Sequence, residues 1–87
     1  MKYAAFIQYH RDPEKIQAVR PAHREYLAGL KEKGKLWASG PFADDSGALI
    51  IYEAESEAEA RSLVENDPFC QAGVFATWDL RPWRQVF

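Results

Sequence analysis

Residues 3–9 (YAAFIQY) alternate with a period of two. Tyr3, Ala5, Ile7 and Tyr9 fall on one face and Ala4, Phe6 and Gln8 on the other, which predicts a strand. Past Asp12 the period lengthens toward that of a helix. Asp12 offers a capping side chain, and Pro13 suits the first helical position, where its missing N–H costs nothing. Ile16 or Val19, then Tyr26, Leu27 and Leu30, define an inward stripe, and counting by three and four places His23 on it. Pro21 cannot donate a backbone hydrogen bond, so the reading here is a short helical piece to about Val19 and a main helix restarting at Pro21. That helix runs to about Lys33 and is closed by Gly34.

Leu36 to Phe42 reads as a second strand, Asp44-Asp45-Ser46-Gly47 as a turn, and residues 48–54 (ALIIYEA) as a third strand that pairs with the second as a hairpin. Ser56-Glu57-Ala58-Glu59 has the form of a capping box ahead of a second helix that carries Ala60, Leu63 and Val64 inward and stops near Asn66. Pro68 opens another helical turn, and residues 76–82 (ATWDLRP) form the fourth strand. The order strand, helix, strand, strand, helix, strand predicts an α+β, ferredoxin-like βαββαβ fold. Its four-stranded antiparallel sheet carries both helices on one face, because both crossovers are right-handed. Eighty-seven residues without linker, repeat or low-complexity segment predict one domain, residues 1–87.

Two helices cover only one face of such a sheet. The third strand is apolar on both: Leu49 and Ile51 on one side, Ala48, Ile50 and Tyr52 on the other. The first strand sets Tyr3, Ile7 and Tyr9 against Phe6, and Leu36 or Trp37 and Trp78 or Leu80 extend the pattern. An open face lined by Tyr, Ile and Trp exceeds what a monomer ordinarily leaves in water. Pairing of two copies about a two-fold axis, sheet to sheet, is the economical solution. The aromatic tail, with Trp83 and Phe87, suits an exchange of contacts with the partner; folding back on its own sheet is the other reading.

Composition narrows the function. The chain is 47% hydrophobic and 28% charged with net charge −2 and twelve aromatics. It lacks the basic footprint of a nucleic-acid binder, since Glu25 and Glu32 interrupt the small group Lys31, Lys33 and Lys35. No segment approaches the roughly 20 apolar residues of a membrane span, and the start of the chain is too short and soon too polar for a signal peptide. A soluble cytoplasmic protein is expected. Cys70, the only cysteine, excludes an internal disulfide and a thiolate metal cluster. It reads as a small buried hydrophobe rather than a nucleophile.

The candidate chemistry centres on His23. An imidazole on an inward stripe needs a hydrogen-bond partner, and the best distant one is Asp67, in Asn66-Asp67-Pro68-Phe69. A carboxylate that orients an imidazole leaves the second ring nitrogen free for proton transfer near neutral pH. The alternatives are structural: His23 as a satisfied core histidine, and Asp67 as the N-cap before Pro68, a role compatible with pairing. Ser39 and Gly40 could bind a carbonyl or developing oxyanion, or simply end the strand. Arg20 could hold a carboxylate or phenolate, or be a surface ion-pair partner. Phe42, Phe69 and inward tyrosines would make an apolar pocket for a small aromatic or cyclic compound. His10, His23, Asp67 and Cys70 have no metal-ligand spacing, and no phosphate loop or hydrolase motif occurs, so neither metal nor cofactor is expected.

These residues resemble a known family. The strand Tyr3 to Tyr9, the run Arg20-Pro21-Ala22-His23, Ser39-Gly40-Pro41, the helix leading to Asp67-Pro68-Phe69, Ala72-Gly73-Val74 and the ending Val86-Phe87 are similar to the YciI-like (YCII-related) proteins over essentially the whole chain. The resemblance implies a dimeric α+β barrel and an active site centred on a His-Asp pair, here His23 and Asp67. The hairpin from Pro41 to Ala48 is short beside that of some members and leaves less material for a lid. Because this fold hosts isomerases and monooxygenases alike, it does not choose a reaction. Three hypotheses follow: an acid–base enzyme of isomerase, lyase or hydrolase type acting on a small aromatic or unsaturated metabolite; a non-catalytic ligand-binding or regulatory dimer; and a purely structural dimer.

Overall fold

Seven elements build the chain: β1 (Lys2–Tyr9), α1 (Pro13–Glu32), β2 (Leu36–Pro41), β3 (Gly47–Glu53), α2 (Glu57–Glu65), α3 (Pro68–Gln71) and β4 (Phe75–Trp83). The computed structural model describes all residues, 1–87. The sheet order is β2-β3-β1-β4, and every neighbouring pair is antiparallel. This is the ferredoxin-like α+β arrangement expected from the element order. No helix is long and apolar enough to cross a membrane.

Period-two patterning sets the two faces. Tyr3, Ala5, Ile7 and Tyr9 of β1, with Ala48, Ile50 and Tyr52 of β3, are buried beneath the helices. All but Tyr3, which packs with Ala54 and Ala60, join Ile16, Leu27 and Leu30 of α1 and Val64 and Phe69 of α2 and α3 in the core. The tyrosines of β1 and β3 therefore lie under the helices and do not line the open face. That face carries Phe6, 61% exposed, and Trp37, 41% exposed. Leu49 pairs with Phe6 there, and Trp83 packs 5.9 Å from Trp37 between ring centroids.

The helices begin and end on local chemistry. Asp12 Oδ1 accepts from the Lys15 amide, and Ser56 Oγ accepts from the Glu59 amide. Glu59 closes its capping box one residue early, accepting from the Glu55 amide at 3.0 Å. At the end of α1, Gly34 (φ +73°) turns left-handed, so that its amide donates to Lys31 O and that of Lys35 donates to Leu30 O.

The expected restart at Pro21 is corrected: α1 is one helix of 20 residues with Pro21 inside it. Pro21 is exposed, and its missing donor removes one helical bond. Ile16, His23, Leu27 and Leu30 are buried along a single stripe, and only an unbroken helix keeps them on one side. Packing of that stripe outweighs the local cost of the proline.

The β2–β3 connection is tight. The Ser46 carbonyl accepts from the Tyr9 amide, tying the turn to the end of β1. A Cβ on Gly47 would stand 1.9 Å from the Ile7 carbonyl oxygen, so this close approach of β3 to β1 requires glycine.

Candidate active site

Two short-range devices and one long-range contact make the site. Asp67 lies between α2 and α3 and is completely buried. Its Oδ1 accepts from the Phe69 amide at 2.9 Å, capping α3. At the other end of α3, Gly73 (φ +77°) lets its own amide donate to Cys70 O and that of Val74 donate to Phe69 O. A four-residue helix is thus held at both ends, and Phe69 between them is fixed in the core.

Across the core, His23 of α1 presents Nδ1 to the same carboxylate, 2.7 Å from Oδ1 and 2.9 Å from Oδ2. Oδ1 already accepts from a main-chain amide, so Asp67 acts as a carboxylate acceptor and Nδ1 carries the proton. The neutral ring then has its lone pair on Nε2. The ring lies flat on Phe69, with centroids 4.0 Å and planes 7° apart, and Phe75 meets it edge-on at 6.5 Å. Orientation is therefore set by one hydrogen-bonding partner and two aromatic walls.

Nε2 has no partner within the chain, yet the only fully sealed side-chain polar atom without one is the Tyr52 hydroxyl. The His23 ring therefore keeps an opening. His23 lines a cavity of about 190 Å³ together with Tyr9, Arg20, Arg24 and Leu27. Ser39, Gly40 and Pro41 of β2 form the facing wall, with Ala48 and Ile50 of β3 and Phe69 beneath. Burial raises the Tyr9 hydroxyl above its ordinary value, an effect the Arg20 guanidinium opposes. Tyr26, whose hydroxyl donates to Leu63 O at 2.6 Å, is pushed up to about 12 by burial and then by the charge of Asp67. Burial, followed by the same charge, raises Tyr52 and Cys70 as well. Asp67 is thus surrounded by hydroxyl and thiol groups that stay protonated at neutral pH.

Of the residues singled out in the sequence, His23, Arg20, Ser39, Gly40 and Phe69 meet at this cavity, with Asp67 behind the imidazole. Phe42 does not join them. It packs on Phe6 at the open face, 5.2 Å between ring centroids. Phe42 lies just past the end of β2, where its amide donates to Gly47 O and its ring turns to the open face. Arg20 reaches the wall but is engaged, its Nη2 lying 3.1 Å from Asp45 Oδ1. The broader concavities, about 910 and 610 Å³, both lie against Phe6 and Phe42 and contain no histidine.

The model of the YCII-related domain matches residues 1–84. The chain belongs to the YCII-related family. It is 33% identical to Protein YciI of Escherichia coli O6:H1 over 98 aligned positions covering the whole of both proteins. It is also 31% identical to an uncharacterized protein of Haemophilus influenzae, over 85% of this chain and 86% of that one. Among solved structures it is similar to 5-chloro-2-hydroxyhydroquinone dehydrochlorinase (TftG) from Burkholderia phenoliruptrix AC1100, in complex with 2,5-dihydroxybenzoquinone. That match has a TM-score of 0.85 and 33% identity, covering 97% of this chain and 94% of that one.

In this YCII-related chain the sequence reading passed over Arg24, although a signal was present. Arg24 follows Arg20 by four positions and so shares its side of α1. Of the inward tyrosines, only Tyr9 reaches the cavity, because it is the last residue of β1 and stands where the sheet ends.

Proposed function

We propose that the chain is a small acid–base enzyme acting on a single-ring, aromatic or unsaturated metabolite, with His23 as the proton-transfer group and Asp67 as the residue that orients it. The observation that carries this reading is the bidentate approach of the buried Asp67 carboxylate to His23 Nδ1, in a ring that also lines the cavity and whose Nε2 has no partner in the chain. A structural histidine needs a partner but no cavity at its other nitrogen. Dimensions agree: an apolar cavity of about 150 Å³ is enough to admit benzene, and this one measures about 190 Å³.

The step is simple. Nε2 removes a proton from an acidic O–H or C–H of the substrate, and the electron pair left behind enters the conjugated system. It either expels a leaving anion such as a halide, which is elimination, or is reprotonated at another carbon, which is isomerisation. The proton on Nε2 passes to that carbon or to solvent, restoring the neutral ring. The substrate's oxidation level changes only by internal redistribution, so the step requires no redox cofactor. Asp67 stabilises the imidazolium formed in the step, and Ser39 and Gly40 offer the facing wall for a developing oxyanion. Similarity to a dehydrochlorinase that binds a dihydroxybenzoquinone favours a hydroxylated ring and elimination chemistry.

The working unit is a homodimer paired through the open sheet face, where Phe6 and Trp37 are exposed; Val86, 73% exposed, and Phe87 are also left in water. A cytoplasmic setting suits its unpaired Cys70.

The test is turnover of chlorinated hydroxyhydroquinones, followed by chloride release and quinone absorbance under anaerobic conditions, with the unchlorinated compound, which has no leaving group, as the blank. Native protein turns over at least one of the chlorinated compounds, and His23→Ala abolishes turnover while its circular dichroism and melting stay close to native. Turnover that survives in His23→Ala overturns His23 as the proton-transfer group, and a panel that yields binding without any product supports the non-catalytic ligand-binding reading instead.

A further inference from the structure

We infer that Arg24, rather than Arg20, is the anion anchor of the cavity, and that the ligand is a single-ring compound bearing one negatively charged oxygen. The inference rests on the cavity assigned above and specifies what it takes.

Two guanidiniums line the cavity, one turn of α1 apart. They are not equivalent. Arg20 donates to Asp45 Oδ1 at 3.1 Å, bridging α1 to the β2–β3 turn, so its charge is already matched. Arg24 has no carboxylate within ion-pair distance and no hydrogen bond to the chain. Arg24 is exposed and lines both the His23 cavity and a second, shallower concavity over Leu36 and Ala38.

Pairing separates the charges at the cavity. Asp45 engages Arg20, and the buried Asp67 carboxylate is taken up behind the ring by His23 Nδ1 and the Phe69 amide. Arg24 is left as the one cavity-lining cation without a carboxylate partner. Tyr9 and Ser39 also line the cavity, and their hydroxyls, without partners in the chain, are hydrogen-bonding groups of the kind a ring oxygen requires. A guanidinium binds carboxylate or enolate oxygen through a planar fork, which a lysine cannot reproduce. The remaining walls, Leu27, Ile50 and Phe69, are apolar and suit the ring itself.

Calorimetric titration of the full chain with benzoate, 2,5-dihydroxybenzoquinone and the neutral isostere benzamide tests this. Both anions bind the native protein more tightly than benzamide does. Arg24→Gln weakens both at least tenfold while leaving benzamide within twofold, and Arg24→Lys restores only part of the loss. Equal anion affinity in Arg24→Gln overturns the inference, as does a loss on Arg20→Gln that Arg24→Gln does not share, or the failure of both anions to bind native protein. Circular dichroism of Arg24→Gln checks that its exposed site leaves the fold intact. Turnover that depends on His23 but not on Arg24 would remove this assignment and leave the acid–base reading standing, so the two fail separately.

Discussion

The His23 imidazole and the Phe69 ring lie face to face, 4.0 Å apart at their centroids and 7° from parallel. Asp67 fixes where one ring nitrogen points, and Phe69 fixes the plane in which the ring lies. A proton-transfer group must be held close to one geometry, because misplacement of about 1 Å costs orders of magnitude in rate. Phe69→Leu keeps an apolar side chain in the core but removes the flat platform. Its expected cost is about 1–2 kcal/mol of stability, as for a moderate reduction of core volume. Turnover falls at least tenfold with KM little changed, read from steady-state kinetics alongside urea unfolding. Undiminished turnover in a folded Phe69→Leu would show that Asp67 alone sets the ring.

Asp67 performs two tasks through one carboxylate, since Oδ1 serves both the Phe69 amide and His23 Nδ1. Substitutions separate them. Asp67→Asn retains a carbonyl oxygen for the Phe69 amide but puts an N–H₂ where Oδ2 now meets Nδ1. The ring then shifts to the tautomer protonated on Nε2 and loses its free lone pair. The expected result is a folded protein, within about 2 kcal/mol of native, with turnover reduced by about 10²–10⁴. Asp67→Ala removes the cap as well and leaves a buried imidazole unpartnered, with an expected loss of about 3 kcal/mol or more. Nitrogen-15 NMR of the histidine ring reports the tautomer directly. An unchanged tautomer in Asp67→Asn would contradict the orienting role.

The fold was legible wherever chemistry is local. Period-two strands, the caps at Asp12, Ser56 and Asp67, and left-handed Gly34 all stand in the structure where the residues point to them. Pro21 misled because its cost is local while the gain that overrides it comes from the buried stripe Ile16, His23, Leu27 and Leu30, which gathers its partners from distant segments. The meeting of His23 with Asp67, 44 residues apart, was readable because a buried imidazole has so few partners in this chain. Phe42 was not readable in the same way, and for Arg24 the spacing from Arg20 showed its side of α1 but not its role. The side a residue takes at a strand end depends on where pairing stops, and the engagement of Arg20 depends on a turn residue 25 positions away.

Stability falls in acid for reasons the surface shows. Lys2 Nζ lies 2.6 Å from Glu53 Oε1 and holds that carboxyl below its ordinary value of 4.5. The Glu55 amide and then Lys35 do the same for Glu59. A group whose pKa is lower folded than unfolded adds stability that is complete above the unfolded value and is lost as pH falls through the folded one. The urea midpoint should therefore hold from pH 7 to about 5 and decline from about 4.5 downward. The double variant Glu53→Gln, Glu59→Gln retains hydrogen-bond acceptors but not the charge, so its midpoint declines less over the same range. Added salt weakens the native advantage, because both pairs are solvent-accessible. Identical acid slopes for native and variant proteins would locate the sensitive carboxylates elsewhere.

Phe6 tests the open face. It stands in the middle of β1, between Leu49 of β3 and Asp79 of β4, and is 61% exposed in the single chain. A charge there costs the isolated chain little, because the side chain is not part of its packed core. In a face-to-face dimer the same position lies at the interface, where an unpaired carboxylate must be desolvated at a cost of several kcal/mol. Phe6→Glu should therefore convert a particle of twice the 10.0 kDa chain mass into one of single mass, read by size exclusion with light scattering at micromolar concentration. Trp37 and Trp83 lie on the same face, so their fluorescence should shift to longer wavelength as water reaches the indoles. Native protein already at single mass, or Phe6→Glu still at double mass, would rule out pairing through this face. A red shift without a change in mass would mean that the aromatic tail closes over its own sheet.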